Sequence, residues 1–480
     1  MRVTLALLTL SSLFAIYHCT YTSTDVLEDR RNAIRQATKH AWRGYKKHAG
    51  FKNDELRPVT AKSYNWMNMS ITVFSALDTL YIMDLKDEYE EARDWAVSGL
   101  DLQRDLNVSF FETNIRVVGG LLGAYDLTKD KQLLKQAVKV ADKMMPAFNN
   151  KGIIPFPSIN LQTGKGYATW SDHVTTLAEL GSFQLEFNYL SHHTNNPKYA
   201  AYSLKVVAHM QSLKPAHGLY PTLYNLKDGK ISSHPSNLYT FGASSDSFYE
   251  YVLKQWLQTG KRDKKLRQMY DESVEGMLSM VYRSKFSHNV YIVEKKGLGY
   301  VLHEMDHLAC FVPGMLALGA HGETLDRDMM LAEEMMTSCM DLYACSSSGL
   351  APDRVRFHAS NIYDFTPVDA RYLLRPETLE SLYVLWKKTG DEKYRGWAWK
   401  VFTAIERNCK TKYGYSGIKD ATRVVDTPKD DVQHAYLLSE TFKYLYLIFE
   451  DDAKASYDLR RVVFNTEAHA LTIFHKSAVK

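Results

Sequence analysis

Apolar and polar positions along the chain alternate between two kinds of helical segment. Stretches such as VVGGLLGAY and HLACFVPGMLALGA are apolar on nearly every side, which predicts helices that are buried all round. Stretches such as KQLLKQAVKVADKM keep one charged face, which predicts helices that rest on a core by the opposite face. The pattern therefore predicts paired helices, with the apolar member inside and the amphipathic member outside.

A turn of similar sequence recurs between the two helices of each pair. Each apolar run ends in a short polar turn with an aspartate or an Asn-Pro pair, and an amphipathic run follows. The marker residues of these turns are Asp87, Asp130, Pro197, Asp263, Asp326, Asp391 and Asp451. In the middle of the chain the markers are about 65 residues apart. The spacing predicts an all-α fold of seven helix hairpins, stacked as an open solenoid or closed as a toroid, with short β-hairpins between the units.

Titratable side chains recur where the apolar helices begin. Single acids in a first helical turn are expected from the helix dipole, so one alone carries little information. In a closed ring, however, all the helix starts converge on one end of the axis. The residues in this phase are Glu112, Glu179, Asp246, His307, Glu377 and Glu440.

Glu112 has two interpretations. It lies in SFFETNIRVVGG, where Ser109 and Glu112 fit a capping box that satisfies the free N–H groups of a helix start. A cap does not explain Arg116 or Arg375, because cations are disfavoured at helix N-termini. Carboxylates gathered with arginines and a histidine are typical of a polar pocket with tuned acids and bases. Such a pocket suits glycoside hydrolysis, which needs a carboxylic acid and a carboxylate base.

Composition narrows the function classes. The 480 residues are 45% hydrophobic and 24% charged, with a net charge of +4 that is dispersed along the chain, so we expect a globular protein that does not bind nucleic acid. Arg2 precedes an uncharged run over residues 3–24, which predicts a signal peptide or an uncleaved membrane anchor, followed by a single catalytic domain over residues 25–480. Asn68 and Asn107 open N-x-S sequons. The C-terminus has no KDEL-type retention signal.

Long motifs give the chain a family resemblance. They include SALDTLYIM, FFETNIRVVGGLLGAY, GASSDSFYEYVLKQW, YLLRPETLESLYVLW and VFNTEAHAL. From about residue 27 to residue 475, in order, the chain resembles glycoside hydrolase family 47, the class I α-1,2-mannosidases. The resemblance implies an (α/α)7 barrel, an inverting exo-α-1,2-mannosidase activity and high-mannose N-glycans on glycoproteins as substrates, from nine mannoses toward five.

The resemblance also implies roles for individual residues. Glu112 matches the general acid, which acts through a water, and Asp246 matches a carboxylate proposed as the alternative acid. Glu377 matches the base that activates the attacking water. The positions that match the sugar site are Arg116, Glu179, His307, Arg375, Glu380, Tyr436 and Glu440.

A metal and a disulfide follow from the same resemblance. Thr466 matches the single direct protein ligand of a Ca²⁺ ion, and Glu467 holds one of its waters. Taken alone, NTEAH is more typical of a turn or cap than of a metal site. Cys310 and Cys339 match the family's disulfide, and the pairing of Cys345 and Cys409 stays open.

Two departures and two alternatives remain. Asp353 stands where the family usually has Glu, and VQHAYLL differs from the more usual acidic or Ser-rich run before the aromatic residue. Ser244 stands where the strict endoplasmic-reticulum subgroup has Arg, which favours broader, Golgi-like trimming. We expect a monomer in the lumen of the Golgi or endoplasmic reticulum, or secreted. The alternatives are a degradation-enhancing mannosidase-like protein that marks misfolded glycoproteins and a non-catalytic helical-repeat protein that binds glycans. The chain ends soon after Thr466, whereas degradation-enhancing relatives often carry long C-terminal extensions.

Overall fold

The computed structural model describes residues 23–148, 153–168, 173–297, 299–358, 364–423, 427–451 and 455–474. Residues 1–22, in which most of the predicted signal peptide or anchor lies, are outside the described residues. Within the described ranges, no helix combines the length and the apolar character that a membrane span requires.

Two concentric rings of helices form the described part of the chain. Even-numbered helices make the inner ring and odd-numbered helices make the outer ring. In chain order the helices are α1 (Ser23–Gly44), α2 (Ile71–Ile82), α3 (Lys86–Ser98), α4 (Gly119–Thr128), α5 (Lys131–Met144), α6 (Gln184–Thr194), α7 (Lys198–Ser212), α8 (Asp246–Gln258), α9 (Lys264–Leu278), α10 (Val312–Gly319), α11 (Leu325–Ala344), α12 (Glu377–Thr389), α13 (Lys393–Asn408) and α14 (Phe442–Ile448).

The inner ring closes on itself. Neighbouring inner helices pack side by side, with α6 packing on the π-helical turn Thr113–Val118 that leads into α4. The π-helical turn Leu437–Thr441 that leads into α14 packs on α2. The toroidal alternative and the (α/α)7 barrel are therefore confirmed. The inner helices are buried on nearly all sides, whereas α5 buries Leu133, Ala137 and Val140 along one face only, as the two sequence patterns predicted.

The turn markers Asp130, Asp263 and Asp391 each accept a backbone N–H group at the start of an outer helix. Asp130 Oδ1 accepts the backbone N–H of Gln132 at 2.8 Å, and Asp263 Oδ1 accepts that of Lys265 at 2.9 Å. The prediction that a helix follows Asp451 is wrong for the described residues 455–474, which form a β-hairpin. The outer partner of α14 is instead α1, from the other end of the chain. The seventh pair is thus assembled from both ends of the chain, which closes the ring.

Short antiparallel strands join the units at the end of the barrel where the inner helices begin. They form the sheets β1–β2, β3–β4–β5, β6–β7, β8–β11–β12, β9–β10, β13–β14–β15 and β16–β17. Their bounds are β1 Glu55–Arg57, β2 Lys62–Tyr64, β3 Asn107–Ser109, β4 Ser158–Asn160, β5 Gly166–Tyr167, β6 Val174–Thr176, β7 Leu223–Asn225, β8 Leu238–Tyr239, β9 Val281–Arg283, β10 Val290–Ile292, β11 Glu294–Lys296, β12 Tyr300–Leu302, β13 Glu304–Asp306, β14 Arg354–Phe357, β15 Phe365–Asp369, β16 Val462–Phe464 and β17 Ala470–Thr472.

The β16–β17 hairpin packs inside the ring, against α4 and α8. Glycines on α4 make room for it. A Cβ added to Gly119 would lie 2.5 Å from the side-chain nitrogen of Asn465, and one added to Gly123 would lie 3.1 Å from Cβ of His469. The glycines of α4 therefore allow the β16–β17 hairpin to pack closely against this helix.

The cysteines divide as the resemblance implied. Cys310 and Cys339 form a disulfide that joins the turn before α10 to α11. Cys345 and Cys409 are free thiols, the first exposed and the second buried. A bond between those two is therefore absent from the described residues.

Candidate active site

A cavity of about 360 Å³ opens at the end of the barrel where the inner helices begin. Most of the site residues that were predicted at separate helix starts line this cavity. Those that line it are Glu112, Arg116, Glu179, Ser244, Asp246, Arg375, Glu377, Glu380, Tyr436, Glu440, Thr466 and Glu467.

Glu112 uses only half of its predicted capping box. Ser109 Oγ accepts the Glu112 backbone N–H at 3.2 Å, but the Glu112 carboxylate does not return to the helix start. It accepts instead from Arg116 Nε at 2.7 Å, across a π-helical turn, an irregularity that often marks functional sites. Burial opposes the charge on Arg116, but Glu467 and Glu112 raise its pKa overall. The Glu112 carboxylate therefore lies in the wall of the cavity, where it is paired with the Arg116 side chain.

Glu179 completes its capping box at the start of a short helix, Leu177–Gly181, which ends before α6 begins. Thr176 Oγ1 accepts the Glu179 backbone N–H at 3.2 Å, and Glu179 Oε2 accepts the Thr176 N–H at 2.9 Å. The same oxygen accepts from the Thr175 hydroxyl at 3.1 Å. The side chain lines the cavity, as expected of a sugar-binding residue, but one of its oxygens already serves the start of a helix.

Asp246 begins α8 and faces the cavity. Desolvation by the surrounding protein raises its pKa from 3.8 to about 8, with added repulsion from Glu250 and Glu377. Its Oδ1 accepts the Ser247 backbone N–H at 2.8 Å, which opposes the rise only in part. At neutral pH this carboxyl group therefore holds a proton that it can donate.

Glu377 begins α12 and is oriented from behind by His307. Nδ1 of His307 lies 3.2 Å from Glu377 Oε2, and Nε2 lies 2.7 Å from the hydroxyl of Tyr343. His307 is 1% exposed and does not line the cavity, although a sugar contact was expected of it. The reason is local: a 3₁₀ turn, His307–Phe311, precedes α10 and directs the ring into the packing against α12.

Arg375 and Tyr436 form another wall. Asp353 accepts from Arg375 with both carboxylate oxygens, one at 3.2 Å, so the shorter acid at this position still reaches the arginine. Tyr436 donates its hydroxyl to the Leu373 carbonyl at 2.6 Å, which fixes the ring. The wall places an aromatic ring beside a held cation, an arrangement suited to a sugar ring.

The floor of the cavity carries three carboxyl groups, those of Glu380, Glu440 and Glu467. Burial raises the pKa of Glu380 to about 7 and that of Glu467 to about 7, and burial with repulsion from Glu467 raises that of Glu440 well above its usual range. Lys254 Nζ bonds Glu250 and lies 3.2 Å from Glu380 Oε1.

The sequence interpretation missed Glu250 and Lys254. Their spacing could have revealed them, because residues 246, 250 and 254 share one face of α8.

A cation would suit this floor, and Thr466 is the residue that reaches it from the hairpin. Among the described residues, no three or more His, Cys, Asp or Glu side chains are grouped closely enough to share a metal ion. The available donors are the Thr466 hydroxyl and carbonyl, with carboxylates nearby. Oxygen donors within a roomy cavity lined by carboxyl groups fit Ca²⁺, which accepts a loose shell that includes waters.

Comparisons with known proteins agree on the family of this chain. The family model of glycosyl hydrolase family 47 matches residues 37–473. A mannosyl-oligosaccharide 1,2-alpha-mannosidase of Arabidopsis thaliana is 42% identical over 93% of this chain and 79% of its own length. The endoplasmic reticulum mannosyl-oligosaccharide 1,2-alpha-mannosidase of Rattus norvegicus is 37% identical over 93% of this chain and 68% of its own length.

A solved structure extends the agreement to three dimensions. An alpha-1,2-mannosidase from Trichoderma reesei superposes with a TM-score of 0.85 at 26% identity, covering 93% of this chain and 99% of that one. From the matched family model, the identity to the relatives and the shared barrel, it follows that the chain belongs to glycosyl hydrolase family 47, the class I α-1,2-mannosidases.

Proposed function

We propose that the protein is a Ca²⁺-dependent, inverting exo-α-1,2-mannosidase that trims high-mannose N-glycans from nine mannoses toward five. The observation that carries the proposal is the cavity itself. It holds a protonated acid, a carboxylate oriented by a histidine, and an oxygen-rich floor within one barrel end. The relatives are mannosyl-oligosaccharide 1,2-alpha-mannosidases, which supports the linkage and the oligosaccharide class.

The leaving oxygen receives its proton on the side of Glu112 and Asp246. Glu112 is assigned the donor, acting through a water, because it matches the position of the family's general acid. Arg116 fixes the place of its carboxylate at the cavity wall. Asp246 is the alternative donor, because its raised pKa keeps it protonated at neutral pH. In either case the proton goes to the oxygen of the departing glycan as the bond to the terminal mannose breaks.

The attacking water is activated by Glu377. His307 holds the Glu377 carboxylate in place from behind, so that its second oxygen is free to face the cavity. An inverting reaction needs this base on the opposite side of the sugar from the acid, with room for one water. Arg375 and Tyr436 border this position and are assigned to hold the mannose.

Thr466 is assigned as the protein ligand of Ca²⁺. When bound, the ion supplies a fixed positive centre for sugar hydroxyls. The chain's own contribution is to bring the Thr466 oxygens to the floor and to keep Glu467 in place, through the Ser439 hydroxyl at 3.0 Å and Arg116 Nη1 at 2.7 Å. An ion with so few protein ligands is suited to orienting the substrate rather than to stabilising the fold.

Ser244 is assigned to substrate breadth. It borders the cavity two residues before Asp246, in a left-handed backbone conformation with φ of 71°. A short side chain at this point leaves the wall open to more than one glycan branch. We assign the protein, as a monomer, to the lumen of the secretory pathway, at the Golgi or endoplasmic reticulum, or to the secreted fraction.

Incubation with a nine-mannose N-glycan, read by mass spectrometry with and without a chelator, tests the proposal. Stepwise release toward the five-mannose product, stopped by chelation and restored by Ca²⁺ but poorly by Mg²⁺, is the expected result. A single eight-mannose product that resists further digestion would contradict the broad trimming. Full turnover by metal-free enzyme would contradict the role of Thr466, and no turnover at all would favour a glycan-binding protein.

A further inference from the structure

The turn between β16 and β17, residues 465–469, is the segment that delivers Thr466 and Glu467 to the cavity floor. It is internally ordered by Asn465. Oδ1 of Asn465 accepts the backbone N–H groups of Glu467 and His469, each at 2.9 Å, and the Asn465 N–H donates to the His469 carbonyl at 2.9 Å. The turn is therefore a compact unit whose placement depends on what holds its two ends.

One end is held by Glu186 on α6. Asn465 Nδ2 donates to Glu186 Oε1 at 2.7 Å and to the Ile115 carbonyl at 3.0 Å. Glu186 is fully buried and also accepts from the Tyr251 hydroxyl at 2.7 Å and from Asn114 Nδ2 at 2.8 Å. The residue before Thr466 is thus tied to three inner segments of the barrel.

The other end is held by a buried charge cluster. Lys443 Nζ, on α14, donates to Asp78 Oδ2 at 2.8 Å and to the Ala468 carbonyl at 2.6 Å. His469 Nδ1 lies 3.0 Å from the same Asp78 oxygen. Lys443, Asp78 and His469 each have 0% of their surface exposed.

Stability alone is a poor reason for this cluster. Removing a lysine and an aspartate from water is costly, and buried ion pairs can often be replaced by apolar side chains without loss of stability. Their best-attested use is to fix one arrangement of neighbouring elements. Here the elements fixed are α2, α14 and the turn, at the point where the ring closes.

We propose that Lys443 and Asp78 are positioning residues that set the height of the 465–469 turn, so that the Thr466 oxygens reach the cavity floor. Neither residue lines the cavity, so their contacts reach the site through the turn, while the charge of Lys443 also acts directly on Glu440 and Glu467. The proposal rests on the function proposed above for Thr466. Groups that orient a metal ligand from behind typically change metal affinity or activity by about 10–100-fold when removed.

The test compares Lys443→Met with Arg395→Met. Arg395 is also a buried cation, and it donates to the carbonyls of Ile448 and Glu450, each at 2.7 Å, beyond the far end of α14. Three properties are measured on full-length protein: amide hydrogen exchange of residues 463–471 without metal, Tb³⁺ binding by luminescence as a Ca²⁺ probe, and kcat on the nine-mannose glycan. Thermal unfolding reports any general loss of stability in each variant.

We expect only Lys443→Met to accelerate exchange in the hairpin, to weaken Tb³⁺ binding at least about 10-fold and to lower kcat at least about 10-fold. Hairpin exchange and Tb³⁺ affinity within about twofold of wild type would overturn the proposal, as would equal changes in Arg395→Met. If Lys443→Met does not fold, Asp78→Asn replaces it, since an amide of the same size lacks the negative charge that pairs with Lys443; the same two outcomes decide it.

Failure of the proposed function gives a different pattern. Wild-type protein that neither binds Tb³⁺ nor hydrolyses the glycan would contradict the function proposed for Thr466. The exchange of the hairpin amides in Lys443→Met, compared with Arg395→Met, still decides whether Lys443 holds the turn.

Discussion

Two helix starts with the same sequence pattern form different hydrogen bonds in this molecule. Ser109-x-x-Glu112 and Thr176-x-x-Glu179 both fit a capping box. The second closes, with Glu179 Oε2 accepting the Thr176 N–H at 2.9 Å, whereas in the first the carboxylate of Glu112 turns to Arg116 Nε at 2.7 Å. The pattern therefore predicts where a helix begins but not what its glutamate does.

The residue four positions later separates the two cases. It is Arg116 after Glu112 and the fully buried Phe183 after Glu179. A cation one turn along the same face competes for the carboxylate, whereas a phenylalanine does not. The π-helical turn Thr113–Val118 lies between the two charged residues of the first pair. An arginine that the helix dipole disfavours is thus the signal that separates a catalytic candidate from a cap.

The largest predicted effect is at Glu112. Glu112→Gln keeps the side-chain length and can still accept from Arg116, but it carries neither the proton nor the negative charge. We expect normal folding and a kcat at least about 100-fold lower, the usual scale for the loss of a positioned acid. Steady-state kinetics on the nine-mannose glycan provide the measurement, and near-normal turnover would restore the capping interpretation of Glu112.

A smaller effect is predicted at a third helix start, Asp246, through pH. Its folded pKa of about 8 lies above its ordinary value of 3.8, so the native state binds this proton more tightly and loses stability as pH rises between the two values. If Asp246 supplies the proton, kcat/KM falls by about tenfold per pH unit above pH 8. Asp246→Asn cannot ionise, so the loss of stability between about pH 4 and about pH 8 in urea unfolding should shrink in that variant; an unchanged profile would contradict the raised pKa.

The comparison also shows how much the sequence could predict. Helix pairing, the inner and outer rings and the convergence of acids at one end follow from periodicity, because burial on one face or on all faces is encoded locally. The closing pair was not predictable in this way. α1 and α14 come from opposite ends of the chain, and the marker Asp451 precedes no helix in the described residues.

The residues of the site also divide into those that the sequence could place and those that it could not. Glu112, Asp246 and Glu377 could be placed at helix starts from their phase alone. The partners of these residues could not, because they depend on contacts between distant segments, such as Asp353 with Arg375 and Lys443 with Asp78. Thr466 was identified only through the family resemblance, since its turn reaches the cavity from the last hairpin.

The two caps themselves should differ modestly in stability. Thr176→Ala removes the acceptor of a closed box and leaves Glu179 without its reciprocal partner, so we expect a loss of about 1–2 kcal/mol. Ser109→Ala removes a single bond of 3.2 Å and should cost about 0.5–1 kcal/mol. Denaturant unfolding of both variants measures the difference. A larger loss in Ser109→Ala would mean that Glu112 closes its box in solution.

The smallest predicted effect is at Glu179, and it sharpens the contrast with Glu112. Glu179→Gln keeps an oxygen that can accept from the Thr176 N–H and the Thr175 hydroxyl, so the helix start should persist with a change in stability within about 0.5 kcal/mol. The carboxylate is engaged locally and is assigned no proton, so kcat should stay within about threefold of wild type, with any change confined mainly to KM for the glycan. Running Glu112→Gln and Glu179→Gln side by side in the same assay makes each the control for the other: the substitution, the helix position and the capping pattern are shared. Equal losses of kcat in the two variants would show that Arg116 is not what separates them.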